Sequence, residues 1–378
     1  MRRYLVGGAV RDELLSLPVK DRDWVVVGAT PERMIAKGFE LKDEQFQVYV
    51  DSSGEEHALA RRETKTALGH RGFVLDFSPS ITLEEDLQRR DLTINAIARA
   101  EDGTLIDPFD GVADIGVRQL RHVSSAFDED PLRVLRAARF HARFAGLGFV
   151  ISDETLELMS SMVSNEMLTT LSAARRWNET TRALVYDAPH VYFHTLKACG
   201  GLGTCWPHVR TDRQIAKFLE QLPRLSGVRD SLDTRVAGLI AISAMVTSSD
   251  STSFDDYPLG NCEKHTRRLV GMTLQVLEQA NHVAQLASAK QLLRFLESIG
   301  ALRDPVTFRT AIDVVAACTQ ATTTLAINTW LQALSAAQRV DGKALAAANP
   351  GRVKEAIAAA RISAVADSLG KLPIVGRS

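Results

Sequence analysis

Gly7-Gly8-Ala9-Val10-Arg11-Asp12 and, just beyond it, Lys20-Asp21-Arg22-Asp23-Trp24-Val25-Val26-Val27 decide how this chain is read. The first stretch follows the apolar Tyr4-Leu5-Val6. It reads as a glycine turn between a short buried strand and a helix over Ala9 to Leu15. Gly8 has no Cβ, so an anion can approach its backbone N–H near a helix N-terminus, where the peptide dipoles favour negative charge. Arg11 falls on the first turn and can reach the same anion. The second stretch reads as a strand that opens with two carboxylates. Side chains alternate along a strand, so Asp21 and Asp23 share a face and Arg22 takes the other. Neighbouring carboxylates repel unless a cation lies between them, and a divalent metal is the usual one. Alone, each pattern is ordinary: a turn, or solvated surface acids. In tandem they form a phosphate cradle beside a metal-binding acid pair, the equipment of nucleotidyl transfer.

Downstream, Thr30-Pro31 starts a second helix, with Pro at its first position, that ends near Gly38. Phe46 to Val50 alternates as a strand, Ser52-Ser53-Gly54 turns, and Glu56 to Ala60 reads as a third strand. Glu56 is a candidate third metal carboxylate, and a surface acid on an edge strand fits it equally well. Residues 61–80 carry Arg61, Arg62, Lys65, His70 and Arg71 without a clean period. They read as a mobile basic loop able to close over a substrate. Thr82-Leu83-Glu84-Glu85 is a capping box that opens a short helix ending at Arg89-Arg90-Asp91. Leu92 to Ala98 continues as a strand-like segment. Asp102-Gly103 then turns into Leu105-Ile106, and Asp107-Pro108-Phe109-Asp110-Gly111 closes the unit. Short strands mixed with helices predict an α/β domain over residues 1–118.

The chain has 378 residues, 45% of them hydrophobic, enough for two or three domains. Lys+Arg is 45 and Asp+Glu is 46, giving a net charge of −1. That total neither supports nor excludes a nucleic-acid partner, because location matters more than the sum. Residues 118–143 concentrate six arginines against three acids. Within them, after a loop over Ser124 to Asp130, Pro131 to Phe144 reads as an amphipathic helix with Leu132, Leu135, Phe140 and Phe144 on one side. Arg133, Arg136 and Arg139 fan over a broad face of it. Such a fan is most often solvated. Here Glu129-Asp130 precedes it, so donors and acceptors together can meet a flat base edge. Beyond Gly148 helical patterns run almost without interruption from 153–165 to 350–369. Residues 119–210 and 211–378 are read as two helical regions, with Ser248 to Gly260 the most polar stretch. The four cysteines, Cys199, Cys205, Cys262 and Cys318, form no C-x-x-C pair and fit core thiols of a reducing compartment. No signal peptide precedes Tyr4 and no apolar run has the length of a membrane span, so a cytoplasmic location is expected.

Five motifs, in order, resemble those of the class II tRNA nucleotidyltransferases, the bacterial CCA-adding enzymes: Leu5–Asp12, Asp21–Gly28, Arg89–Ala96, Asp107–Gly111 and Glu129–Phe140. The resemblance is strong over residues 1–207 and extends to Arg175-Arg176-Trp177-Asn178-Glu179 and Cys199-Gly200-Gly201, similar to that family's neck and body. It implies a polymerase β-like nucleotidyltransferase head over 1–118, an all-α neck and body over 119–210 bearing a base template, and a helical tRNA-binding tail over 211–378. It implies that Asp21 and Asp23 hold Mg²⁺ ions, in a two-metal site with a spacing of about 3.5–4 Å, that activate the tRNA 3′-hydroxyl and clamp the triphosphate. Gly8 and Arg11 would bind that triphosphate, and Arg90, Asp91 and Asn95 the sugar and phosphates. Asp130, Arg133 and Arg136 would pair with the base edge of CTP or ATP, with Arg139 supporting the pocket. Arg supplies a fork of donors and Asp an acceptor, and uracil or guanine would leave them unpaired. The basic loop over 61–77 resembles the family's flexible element that helps the site switch from CTP to ATP, and its uncut length argues against a CC-only enzyme.

One departure stands out. Some relatives carry a His-Asp metal motif with phosphohydrolase activity in the C-terminal half. Here the alignable Arg235–Ile242 segment has Ala241-Ile242 in that place, and no His-Asp pair occurs in the chain. Apolar side chains cannot ligate metal, so no phosphohydrolase activity is expected. The alternatives within the family are A-addition alone or poly(A) polymerase. Outside it, the alternative is an inactive tRNA-binding paralogue, whose mark would be loss of a metal acid. No membrane and no obligate protein partner are implied.

Overall fold

A computed structural model describes residues 1–65, 73–228, 231–247, 262–281, 288–319 and 324–369 of the chain, which forms two compact units, Met1–Pro207 and His208–Ser378. In the first unit the two opening apolar runs become neighbours. Strand β1 (Arg2–Val6) leads through the glycine turn into helix α1 (Gly8–Leu14) and back to strand β2 (Asp23–Val27), antiparallel to β1 with Leu5 opposite Trp24. Gly7 turns the chain at φ 66°, a left-handed conformation that glycine adopts without strain. Helix α2 (Pro31–Ala36) is capped by the Thr30 hydroxyl. It is followed by β3 (Glu40–Asp43), β4 (Val48–Val50) and β5 (Glu56–Leu59).

The segment over 61–80 is not simply a loop. Arg62–Lys65 (β6) and Phe73–Asp76 (β7) pair as an antiparallel ribbon. The residues between, including the predicted His70 and Arg71, lie outside the described ones. Thr82 and Glu85 form the predicted capping box of α3 (Leu83–Gln88). Leu92 to Ala98 departs from the strand reading as well: Thr93–Asn95 is a 3-10 turn, and strand β8 is Ala98–Ala100. The Thr93 hydroxyl donates to Asp114 at 2.6 Å and the Asn95 amide to Asp91 at 2.8 Å. Such local side-chain bonds compete with a strand ladder. Strand β9 (Leu105–Ile106) and helix α4 (Gly111–Val117) complete the head.

The sheet runs β3-β4-β5-β2-β1-β8-β9. Within it β2 and β5 are parallel, Asp23 opposite Glu56, and the other neighbours are antiparallel. Alternation sends Tyr4, Val6 and Val25 to a core with Leu87 and Ala98, and sends Leu5 to another with Ala9, Val10 and Ile97.

The unit continues into β10 (Gln119–Leu120), which pairs in parallel with β11 (Val150–Ile151), and into α5 (Leu132–Phe144). Part of the predicted loop over Ser124 to Asp130 is a 3-10 turn, Ser125–Glu129. Helices α6 (Asp153–Ser164), α7 (Ala173–Leu184), α8 (His190–Ala198) and α9 (Leu202–Cys205) follow. Helix α5 packs on α7 and α8.

The second unit is helical among its described residues: α10 (Asp212–Gln221), α11 (Leu232–Thr247), α12 (Lys264–Asn281), α13 (Ala289–Ser298), α14 (Pro305–Cys318), α15 (Thr324–Gln338), α16 (Gly342–Ala348) and α17 (Val353–Leu369). Helix α11 is enclosed by α10, α12 and α14. Ala241 and Ile242 are wholly buried in it. The polar Ser248 to Gly260 stretch lies outside the described residues. Among the described residues no helix is long and apolar enough to cross a membrane.

Candidate active site

A cavity of about 620 Å³ is lined by residues from the glycine turn, β2, the end of α3 and helix α5. Gly8, Arg11, Arg90, Asp91, Asn95, Asp130, Arg133, Arg136 and Arg139 all line it, and so does Asp23. Asp21 lies apart from these, in an adjoining cleft of about 560 Å³ that it shares with Asp23 and Glu56. Asp23 therefore stands where the two hollows meet.

Strand β2 begins at Asp23, so strand alternation does not set the direction of Asp21. Charge nonetheless couples the two. Desolvation by the surrounding protein, then the charge of Glu56, raises the Asp23 carboxyl above its ordinary range; Arg90 opposes this and Asp21 adds to it. Glu56 faces Asp23 across the parallel register, and its carboxylate pairs with Lys42. Among the described residues no three His, Cys, Asp or Glu side chains converge as a ready-made metal cage. Two mutually repelling carboxylates beside an open cavity fit a cation whose shell is completed by substrate phosphates and water, as Mg²⁺ is commonly held.

At the glycine turn, Arg11 is buried and its guanidinium donates to Asp12 at 2.8 and 2.9 Å and to the Asn95 carbonyl oxygen of the side chain. Arg143 holds the other Asp12 oxygen at 2.8 Å. The Arg90 guanidinium meets the Asn95 backbone carbonyl at 3.3 Å and Asp86 at 3.3 Å. Its Nε is buried and has no partner. A buried N–H without a partner carries an unrecovered desolvation cost. A Cβ on Gly7 would come within 2.7 Å of Arg90 Nη1, a side-chain end able to shift, so it is the positive φ that asks for glycine here.

Asp91 joins the glycine-turn end of the cavity to α5. Its Oδ1 accepts from Leu92 N–H at 2.9 Å and Asn95 at 2.8 Å, and its Oδ2 accepts from Arg136 Nε at 2.7 Å, with Arg136 Nη2 equally close. Burial alone would raise this carboxyl, but Arg136 and the hydrogen bonds hold it well below the usual range. An unbroken chain thus runs from Arg11 through Asn95 and Asp91 to Arg136.

On α5 the arginine fan is not a solvated face. Arg133 and Arg139 are buried. Arg133 donates to the carbonyls of Ala126 and, at 2.7 Å, Arg89. Arg139 is fixed by Glu179 at 2.6 Å and by the Tyr186 hydroxyl at 3.2 Å, with its guanidinium 4.4 Å from the centre of the Phe140 ring. Asp130 accepts from Arg175 Nη2 at 3.0 and 3.3 Å.

The sequence reading gave no site role to Arg61, Arg89, Arg143 or Arg175, which also line the cavity. Nor did it single out Asp86, which is fully buried under Arg89 and Arg90. Arg89 and Arg175 stand inside motifs already quoted, which is the one signal that pointed to them.

The fold is that of a nucleotidyltransferase head followed in the chain by helices. Residues 3–121 match the poly A polymerase head domain family, and the chain as a whole has the fold of the CCA-adding enzymes. It is 51% identical over 243 residues to the multifunctional CCA protein of Hahella chejuensis (strain KCTC 2396), a match covering 64% of this chain and 56% of that protein's length. The Bacillus stearothermophilus CCA-adding enzyme in complex with CTP shares 25% identity with a TM-score of 0.66, covering 97% of this chain and 89% of that one. Another CCA-adding enzyme solved with CTP, 20% identical, has a TM-score of 0.69 over 98% of this chain and 90% of its own, a likeness of fold alone. The resemblance read from the five motifs is thereby borne out.

Proposed function

We propose that this protein is a CCA tRNA nucleotidyltransferase, adding and repairing the 3′-terminal C-C-A of tRNA from CTP and ATP without a nucleic-acid template. The observation that carries this reading is the single cavity that joins Gly8, Arg11 and Arg90 at one end, Asp23 beside them, and Asp130, Arg136 and Arg139 at the other. Anion donors, a metal carboxylate and a base-reading edge are the three parts that nucleotidyl transfer requires.

In this reading the Gly7-Gly8 turn, Arg11 and Arg90, which line the cavity, receive the triphosphate. Asp21 and Asp23 would hold Mg²⁺, which supplies activation of the tRNA 3′-hydroxyl and neutralisation of the phosphate charge. Asp130 accepts from the exocyclic amino group common to cytosine and adenine, while Arg133 and Arg136 donate to the base edge. Uracil and guanine present a carbonyl oxygen there and leave Asp130 facing another acceptor. Arg139, anchored by Glu179, forms the wall. Residues 1–118 act as the catalytic head, 119–210 as the template-bearing neck and body, and 211–378 as the tRNA-holding tail. With Ala241 and Ile242 serving as core, the tail carries no phosphohydrolase site. Free thiols and a tRNA substrate suit the cytoplasm.

The test is incorporation of each of the four nucleotides on tRNA lacking three, one or none of its terminal C-C-A residues, with and without Mg²⁺. Magnesium-dependent addition of two C and one A, in order, is expected. Use of ATP alone on the CC-ended primer would reduce the enzyme to A-addition, untemplated A runs would make it a poly(A) polymerase, and tight tRNA binding without incorporation would make it an inactive paralogue.

A further inference from the structure

We infer that Arg175 is a specificity-determining positioning residue, which holds the Asp130 carboxylate in the one orientation that accepts from an amino group. This rests on the proposed base-reading role of Asp130. Arg175 stands on the first turn of α7, where its own N–H is held by the Ser172 hydroxyl at 3.3 Å. The next residue, Arg176, is tied by its side chain to the Leu171 carbonyl at 3.0 Å. The start of α7 is thus anchored independently of any ligand. From there Arg175 Nη2 reaches both carboxylate oxygens of Asp130, just ahead of α5, at 3.0 and 3.3 Å.

The acceptor inventory of Asp130 then has a consequence. Its Oδ1 takes the Leu132 N–H at 3.0 Å as well as Arg175. Its Oδ2 takes Arg175 at 3.0 Å. Each carboxylate oxygen offers about two acceptor sites. Oδ1 is therefore filled, and Oδ2 retains a place for one incoming N–H. Both side chains are about one-fifth exposed and both line the cavity, so that place opens to a ligand. Without Arg175, Asp130 retains only the Leu132 N–H and can swing about its χ angles. A carboxylate free to turn no longer penalises a base that presents oxygen instead of nitrogen.

Arg175→Ala and Arg175→Gln are expected to lower the ratio of kcat/KM for CTP over UTP, and for ATP over GTP, by about ten- to a hundredfold, the worth of one charge-assisted hydrogen bond. Arg175→Lys keeps a charged donor within reach and should restore part of the ratio. A merely structural role would lower all four nucleotides together and leave the ratios unchanged. The wild-type enzyme run alongside separates the two claims: failure of wild type to incorporate CTP or ATP overturns the proposed function. Normal wild-type selectivity with wild-type ratios in the Ala and Gln variants overturns the role of Arg175. Equilibrium binding of CTP against UTP to the same three variants gives the same discrimination without turnover, and equal preference in wild type and variants there would also overturn it.

Discussion

Replacing Asp91 by Asn tests whether the phosphate end and the base end of the cavity are held by one residue. The substitution preserves shape and removes charge. Asp91 accepts from the Leu92 N–H, from Asn95 and from Arg136 Nε, and Arg136 Nη2 lies 2.7 Å from the same Oδ2. An amide has one oxygen, so its N–H₂ must face either both Arg136 nitrogens or the Leu92 and Asn95 N–H groups. Removing one partner of a buried pair costs about 3–5 kcal/mol. The Arg136 side chain is 34% exposed, and water around it reduces that to about 2–3 kcal/mol. For a unit of this size the loss corresponds to a fall in melting temperature of about 4–12 °C. Because Arg136 would also lose its aim, kcat/KM for CMP and AMP incorporation should drop by about 30- to 150-fold. Calorimetry of the whole chain and steady-state incorporation on tRNA lacking C-C-A measure the two effects. Wild-type melting would refute the ion-pair argument. A lowered melting temperature with wild-type kcat/KM would refute the coupling between the two ends.

Asp23→Ala should abolish both CMP and AMP transfer while tRNA affinity, read by filter binding, stays within a few-fold; residual transfer at a substantial rate would remove Asp23 from the chemistry. Gly111→Ala places a Cβ 2.3 Å from the Thr93 carbonyl oxygen and 2.8 Å from Ile97, so the head should lose about 1–3 kcal/mol, seen as a lower denaturant midpoint; an unchanged midpoint would mean the contact relaxes freely. The Asp86 carboxyl, which burial alone would raise, is lowered by Arg89 and Arg90, and Asp91 is lowered by Arg136. Their stabilising contribution is thus present above the unfolded carboxyl value of about 4 and is lost as pH falls through the lower folded values. Urea melts between pH 7 and 3 should show stability falling with acid, and a flat profile would contradict the assignment. Purified protein supplied with nickel should show no 2′,3′-cyclic phosphodiesterase activity, and any measurable rate would disprove the reading of Ala241-Ile242.

Much of the site was legible because its parts are local. The strand-turn-helix around Gly7, the acid-opened strand at Asp23 and the capping box at Thr82 each fit within a few residues, where period and propensity act directly. What escaped depended on distant partners. Strand β6, Arg-Glu-Thr-Lys, has no apolar alternation, so its pairing with β7 leaves no mark in its own composition. Thr93–Asn95 looked extended because its residues suit a strand, yet Asp91 and Asp114 draw them into a turn. The arginine fan resembled a solvated face because helical spacing shows direction and not what lies opposite; Glu179 and the carbonyl of Arg89 decide that. Arg175 meets Asp130 across 45 positions of chain, a distance no local pattern spans.

The cations lining the cavity of about 620 Å³ are nine arginines, with neither lysine nor histidine among the described residues there. Guanidinium keeps its proton throughout the range in which proteins work. This positive wall therefore cannot be switched off by acetylation, which acts on amines.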